Sequence, residues 1–154
     1  MKQDYGAKPV IEGVEIKDLK TFYSDDGAFT EVGRFYGDDN KDYQINLSVL
    51  NPGAIKAFHR HDFQDDKWAT WEPLLVGLRD DRENSPTFQQ TMRFVLCNQS
   101  LWIPRGVLHG CANLTGRPIQ LLYWVNQHFN PEDPDEIREP WDSLGATFFD
   151  MSRQ

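Results

Sequence analysis

The sequence is poor in positive charge. Its 154 residues include 16 lysines and arginines against 24 aspartates and glutamates, for a formal net charge of −8. No basic stripe interrupts this acidic balance, so nucleic-acid binding is disfavoured. An anionic small-molecule ligand is not excluded, because a local cluster of basic side chains can override the global sign of the charge.

Cysteines and long apolar runs are also scarce. The two cysteines, Cys97 and Cys111, lack a metal-binding spacing and lie in apolar segments, which predicts two buried thiols in a reducing compartment. No apolar run approaches the roughly 20 residues of a membrane-spanning helix. The first residues lack the apolar segment of a signal peptide. These absences predict a cytoplasmic protein that does not bind a membrane.

A sustained helical period is missing as well. Short strand-like segments alternate with turn sequences such as Asn51-Pro52-Gly53, and they cover residues 10–16, 28–33, 43–50, 54–61, 67–71, 74–78, 90–96, 100–103, 111–114 and 119–126. Many short strands in a chain of this length predict one all-β domain, residues 1–154, folded as a sandwich or barrel.

Residues 130–154 begin with an acidic, proline-containing run. We expect them to form an extended tail that packs on the barrel or on a partner subunit.

The most informative motif lies at residues 104–113 and reads P-x-G-x-x-H-x-x-x-N. Pro104 and Gly106 favour a tight turn, because proline restricts φ and glycine tolerates positive φ. Apolar segments on both sides of the motif predict flanking strands. His109 is therefore well placed to point into the mouth of a barrel.

A second motif, G-x5-H-x-H, runs from Gly53 to His61. Residues two apart on a strand share a face, so His59 and His61 are predicted to point the same way. Three of the four histidines of the chain fall on these two motifs, and the fourth is His128. This concentration predicts one shared site.

These motifs resemble the two signatures of the cupins, and the chain from about residue 11 to residue 141 resembles the dTDP-4-dehydrorhamnose 3,5-epimerase family within them. Further matching segments are 11–14 (I-E-G-V), 25–31 (D-D-G-A-F-T-E), 44–48 (Q-I-N-L-S), 81–88 (D-R-E-N-S-P-T-F), 103–110 (I-P-R-G-V-L-H-G) and 133–135 (D-P-D). The order and spacing of the segments make the resemblance specific for the fold.

The resemblance implies a double-stranded β-helix (the cupin jelly-roll barrel), a homodimer, and no cofactor. It also implies an epimerase that removes a proton next to the ketone of a nucleotide-linked 4-keto-deoxy sugar and returns it on the opposite face, at one or two carbons. Such chemistry needs a base, an acid and a group that stabilises an enolate. The resemblance assigns the base to His59, the acid to Tyr123 and the enolate-stabilising cation to Lys67, and it places His109 in the pocket.

The same resemblance implies a set of substrate-binding residues, namely Phe29, Glu31, Gln44, Asn46, Lys56, His61 and Arg82. Asp26 and Lys56 stand where the family has arginines that help to hold phosphates, and lysine is a poorer bidentate ligand than arginine. The family also has a C-terminal aspartate that orients the base. Asp142 and Asp150 are candidates for that role, although no motif supports either.

One segment supports a different interpretation. His61 replaces a residue that is usually glutamine, and metal-binding cupins have the pattern H-x-H-x(3,4)-E followed by a later histidine. His59, His61, Asp66 and His109 would then form a site for Fe, Mn, Ni or Zn. Adjacent strand residues face opposite ways, so either Asp66 or Lys67 points inward. The alternatives to the epimerase are thus a metal-dependent dioxygenase or isomerase, and an inactive ligand-binding cupin.

Overall fold

The computed structural model describes residue 6 and residues 8–33 and 43–150, and those residues form strands, turns and loops without a helix. The strands are β1 (Glu15–Asp18), β2 (Lys20–Ser24), β3 (Gly27–Glu31), β4 (Gln44–Leu50), β5 (Ile55–Arg60), β6 (Asp66–Thr70), β7 (Leu74–Asp80), β8 (Thr91–Leu96), β9 (Gln99–Ile103), β10 (Val107–Ala112), β11 (Ile119–Val125) and β12 (Ile137–Arg138). The all-β prediction is confirmed. In this described part of the chain, no helix is long and apolar enough to cross a membrane.

Two five-stranded antiparallel sheets make up the barrel. The first has the order β1-β9-β6-β11-β4 and the second the order β12-β5-β10-β7-β8, while β2 and β3 form a separate hairpin. The main core contains buried side chains from both sheets, such as Leu101 and Ile103 of the first and Leu74 and Leu78 of the second. Apolar residues alternating along the strands therefore close the two sheets on each other. The double-stranded β-helix is confirmed.

The predicted strand bounds differ from the structure at identifiable places. β10 begins at Val107, directly after the turn at Gly106, whereas residues 111–114 were predicted. β2 was not predicted because its sequence is largely polar, and β12 because it has only two residues. The prediction of two buried thiols is wrong for Cys97, which is exposed, while Cys111 is buried, and both are free.

The C-terminal segment lies against the second sheet. Residues Ile137 and Arg138 of β12 pair with Arg60 and His59 of β5. Further along the chain, the ring of Phe149 stacks on that of Phe58 at a centroid distance of 5.3 Å. Phe149 is only 3% exposed. Residues 137–149 thus cover the face of the second sheet that points away from the main core, whereas residues 151–154 of the predicted tail lie outside the described residues.

Candidate functional site

A cavity of about 1260 Å³ opens between the two sheets and is bordered by residues 133–138. Strands β4, β6 and β11 of the first sheet and β5 of the second contribute to its wall. Many of the lining side chains are polar. Among the residues predicted for the site, those that line the cavity are Gln44, Asn46, Lys56, His59, His61, Asp66 and Tyr123.

Three histidines meet beside this cavity: His59 and His61 line it, whereas His109, which was predicted to lie in the pocket, is 1% exposed and is not among the lining residues. His59 of β5 lies directly opposite His109 of β10 in the ladder, and their ring centroids are 4.3 Å apart. The ring of His61 is 5.2 Å from that of His59, because the two residues are two positions apart along the chain. One nitrogen from each histidine and one carboxylate oxygen of Asp66 all lie within 4.8 Å of one another. The two sequence motifs therefore converge on one site.

The electrostatic environment keeps His59 neutral. Burial, the largest cause, together with the neighbouring His109 and His61, lowers the pKa of His59 to about 2. The imidazole therefore carries a free lone pair at neutral pH. It can therefore accept a proton.

Asp66, and not Lys67, faces the cavity. Asp66 is 3% exposed, and its carboxylate accepts hydrogen bonds from Gln64 Nε2 at 2.7 Å and Trp68 Nε1 at 3.2 Å. Lys67 points to the opposite side of the sheet, where its Nζ lies 5.1 Å from the centroid of the Trp124 ring. The assignment of Lys67 as the enolate-stabilising group is therefore corrected, because strand alternation turns its side chain away from the cavity.

Tyr123 lies on the cavity wall formed by the first sheet. In the ladder it is paired with Asn46 of β4 on one side and with Trp68 of β6 on the other. Burial, and then the negative charges of Asp66 and Glu136, raise the pKa of the Tyr123 phenol above its ordinary value. The hydroxyl therefore keeps its proton at neutral pH and can donate it.

Two of the predicted substrate ligands are cations with different surroundings. Lys56 lines the cavity, and its Nζ donates a hydrogen bond to Ser48 Oγ. Arg82 lies elsewhere: its Nε and Nη2 donate to the Asp80 carboxylate at 2.7 and 2.9 Å, and Nη2 also donates to the Glu12 carbonyl oxygen at 2.6 Å. Arg82 is therefore corrected from a substrate ligand to the anchor of the loop after β7.

The aromatic and acidic residues predicted from the hairpin also lie away from this cavity. Phe29 and Glu31 belong to β3 and are not among the lining residues of the cavity in the described part of the chain. Phe29 is 66% exposed. Neither Asp142 nor Asp150, the candidates for orienting His59, contributes to the described cavity wall. In this chain these four side chains are not brought together with the histidines.

Sequence reasoning missed several residues that shape the site. Asp135 organises the rim: its carboxylate accepts hydrogen bonds from the backbone N–H groups of Asp62, Phe63 and Gln64 at 2.8, 2.9 and 2.9 Å. The segment 133–135 matched the family pattern in the sequence, and this match could have indicated that Asp135 is important. The sequence did not indicate that Asp135 would hold the rim of the cavity. Arg138 also lines the cavity, and nothing in the acidic tail sequence indicated that β12 would bring it there.

The fold and the histidine cavity define the chain as a cupin-type barrel with a polar pocket between its two sheets. A family model described as dTDP-4-dehydrorhamnose 3,5-epimerase matches residues 10–151. The chain therefore belongs to the dTDP-4-dehydrorhamnose 3,5-epimerase family.

Two curated relatives extend over most of both sequences. The chain is 38% identical over 141 residues to the spore coat polysaccharide biosynthesis protein SpsL of Bacillus subtilis, a match that covers 86% of this chain and 91% of the relative. It is 33% identical over 144 residues to a protein of Haloferax volcanii named "Probable low-salt glycan biosynthesis epimerase Agl13", with coverage of 87% and 90%. The similarity thus extends over more than four fifths of this chain.

Solved structures show the same fold. A dTDP sugar isomerase from Desulfovibrio desulfuricans superposes with a TM-score of 0.75 at 24% identity and covers 92% of this chain and 91% of its own. A dTDP-4-dehydrorhamnose 3,5-epimerase from Bacillus anthracis, with TDP and pyrophosphate bound, superposes with a TM-score of 0.73 at 21% identity. The match covers 90% of this chain and 86% of that structure's chain. Family membership confirms the predicted enzyme class, a sugar-nucleotide epimerase. It does not favour the interpretation as a metal-dependent dioxygenase or an inactive binding protein.

Proposed function

We propose that this enzyme inverts one or two carbons next to the ketone of a nucleotide-linked 4-keto-deoxy sugar. The observation that carries the proposal is the placement of His59 and Tyr123 on different sheets around one cavity. A sugar ring between the sheets would have a proton acceptor on one side and a proton donor on the other. This is the arrangement that inversion through an enolate requires.

In the proposed reaction, the C–H bond next to the ketone breaks and its proton goes to the His59 imidazole. The electron pair of that bond enters the enolate, whose negative charge lies largely on the former ketone oxygen. The phenol of Tyr123 then donates its proton to the opposite face of the same carbon. Proton exchange with water restores both side chains, so no organic cofactor takes part.

The nucleotide part of the substrate would bind along the cavity wall. Lys56 and Arg138 are the lysine and arginine that line the described cavity, and they support a site for the diphosphate. Gln44 and Asn46 share a face of β4, where the Gln44 amide donates to Asn46 Oδ1 at 2.9 Å, and they support hydrogen bonding to the sugar or the base.

The proposal includes a homodimer in the cytoplasm. Ile45, Leu47 and Val49 on the outer face of β4 are 64%, 59% and 54% exposed, an apolar row suited to a second copy of the chain. Phe29 and Glu31 would then contribute to binding only from a neighbouring subunit. The exposed free thiol of Cys97 supports a reducing compartment.

The test is deuterium uptake from heavy water into C3 or C5 of a 4-keto-6-deoxy sugar nucleotide, followed by NMR. We expect uptake by the wild type and a loss of at least about 100-fold in His59→Asn, since positioned proton transfer typically contributes that much. Equal uptake by the two proteins would remove His59 from the reaction. Absence of uptake with all nucleotides tried would contradict the proposed function.

A further inference from the structure

His61 and His109 direct two lone pairs at one buried carboxylate. His61 Nδ1 bonds to the backbone carbonyl oxygen of Asp135, and His109 Nδ1 bonds to that of Val107 at 2.9 Å. A carbonyl oxygen only accepts hydrogen bonds, so both Nδ1 atoms carry the proton. In a neutral imidazole the Nε2 atom is then an acceptor, and both Nε2 atoms face Asp66.

The gaps between these atoms are too long for hydrogen bonds. Nε2 of His61 lies 3.8 Å from Asp66 Oδ1, and Nε2 of His109 lies 3.6 Å from Asp66 Oδ2. His109 is 1% exposed, and its Nε2 is a buried polar atom without a hydrogen-bond partner among the described residues. Such an orphaned acceptor facing a carboxylate is unfavourable unless a positive species lies between them.

A shared proton does not fit this spacing, because hydrogen bonds join heavy atoms at about 2.7–3.2 Å. A metal ion fits it, because two metal–ligand bonds of about 2.0–2.2 Å hold their ligand atoms at most about 4.4 Å apart.

We propose that Nε2 of His61, Nε2 of His109 and the carboxylate of Asp66 bind one divalent transition-metal cation. Two histidines and one carboxylate are a common set for such ions and leave coordination positions open. The surroundings hold all three ligands in place: backbone carbonyl groups accept from the two Nδ1 atoms, and Gln64 and Trp68 donate to the carboxylate. Hydrogen bonds of this kind orient ligands in metal sites.

His59 lies beside this set and differs from its members. It is only half-buried, and no ion pair joins it to Asp66 among the described residues, unlike His61 and His109. Its ring remains within reach of the same space. We assign His59 the role of a neighbour whose lone pair stays available to the substrate.

The cation would supply a charge that the cavity lacks, and this part of the inference rests on the proposed function. Five carboxylates line the cavity, those of Asp62, Asp66, Asp133, Asp135 and Glu136. The cations on the wall, Lys56 and Arg138, contact Ser48 and Glu136 and are assigned to the diphosphate, so neither is left to stabilise an enolate. An enolate beside Asp66 would be repelled, whereas a divalent ion on Asp66 would reverse the sign of the local potential.

The binding test uses full-length protein stripped with EDTA and titrated with Co²⁺, followed by calorimetry and by the visible absorption of the bound ion. We expect one Co²⁺ per chain, and an affinity at least about 100-fold weaker in Asp66→Asn and in His109→Gln, since even residues that only orient ligands contribute 10–100-fold. His61→Gln gives a third test if a more buried variant fails to fold. His128→Gln, which alters a cavity histidine outside the set, is the matched control and should bind like the wild type.

Absence of Co²⁺ binding by the wild type, or undiminished affinity in well-folded Asp66→Asn and His109→Gln, would overturn the site. A loss in His59→Asn as large as that in Asp66→Asn would overturn the assignment of His59 as a neighbour. Deuterium uptake measured with and without Co²⁺ separates the two proposals. Equal uptake with and without Co²⁺ would refute the stabilisation of the enolate by the cation but would leave the epimerase activity supported. Co²⁺ binding without any uptake would support the metal site and refute the epimerase activity.

Discussion

Asp66 and Lys67 are consecutive residues of β6 that lie on opposite faces of the first sheet. The Asp66 carboxylate is buried at the base of the cavity, where it faces His61 and His109. The Lys67 ammonium group lies over the Trp124 ring, beside Glu15 and Lys17. Because the two side chains face opposite ways, the base of the site carries a carboxylate and not an ammonium group.

Lys67→Met should leave the rate of deuterium uptake essentially unchanged. The side chain is outside the cavity, and methionine retains much of the aliphatic contact with Trp124. The measurement is kcat and KM for exchange, with His59→Asn as the inactive reference. A tenfold or larger fall in kcat, which corresponds to about 1.4 kcal/mol, would show that Lys67 reaches the reacting atoms after all.

Tyr123→Phe should reduce product formation more than it reduces proton removal. Phenylalanine keeps the ring that packs beside the core and removes only the hydroxyl that would return the proton. We expect inverted product to form about 100-fold or more slowly, while abstraction by His59 continues. NMR follows inverted product, and loss of deuterium from C3- or C5-labelled substrate in ordinary water follows abstraction. Equal losses in the two measurements would argue that Tyr123 does not act as the donor.

Asp80→Asn should lower the stability of the barrel and make that stability depend less on pH. The Asp80 side chain is buried and accepts hydrogen bonds from Arg82, from Ser85 Oγ at 2.6 Å and from Thr87 Oγ1 at 2.7 Å. We expect a loss of about 2–4 kcal/mol in the free energy of unfolding at pH 7, because the variant leaves the Arg82 charge without its partner.

The sign of the pH effect follows from the pKa of Asp80. Burial alone would raise this pKa, but the hydrogen bonds from Arg82, Ser85 and Thr87 lower it well below its ordinary value. The stabilisation is therefore complete above the unfolded-state pKa of about 4 and is lost as the pH falls towards the folded-state pKa. Urea unfolding at pH 7 and at pH 3 measures both effects. Asp25→Asn, at an exposed position of the turn between β2 and β3, is the control and should show neither.

Phe149→Ala should unfold at lower temperature than the wild type if the C-terminal segment stabilises the barrel. The ring is buried between Phe58 and Phe148, and its removal should cost about 3–5 kcal/mol. Trp141→Ala is the matched control, because Trp141 is 47% exposed and its loss should cost far less. This pair tests the segment without removing Asp135 or Arg138 from the cavity, as truncation after Asn130 would. Equal stability of Phe149→Ala and wild type would show that the segment is not part of the folded unit.

By itself, the sequence determined the fold class and the convergence of the histidines. Short strands separated by turn residues led to the barrel, and the two motifs that carry His59, His61 and His109 led to one shared site. These features are local, since strand periodicity and turn chemistry are properties of consecutive residues. They were therefore readable before any tertiary contact was known.

Tertiary structure alone decided the charge of the site. Periodicity requires Asp66 and Lys67 to face opposite ways, but it does not state which of them faces inward. That choice follows from the pairing of β6 with β9 and β11, which sets Asp66 opposite Ile103 and Val125. In the same way, the motif around Arg82 suits a substrate ligand, but in the fold its side chain is held by Asp80 and by the carbonyl oxygen of Glu12, which lies 70 residues earlier in the chain. Both outcomes depend on contacts with residues distant in the chain, and these contacts form only when the strands pair and pack.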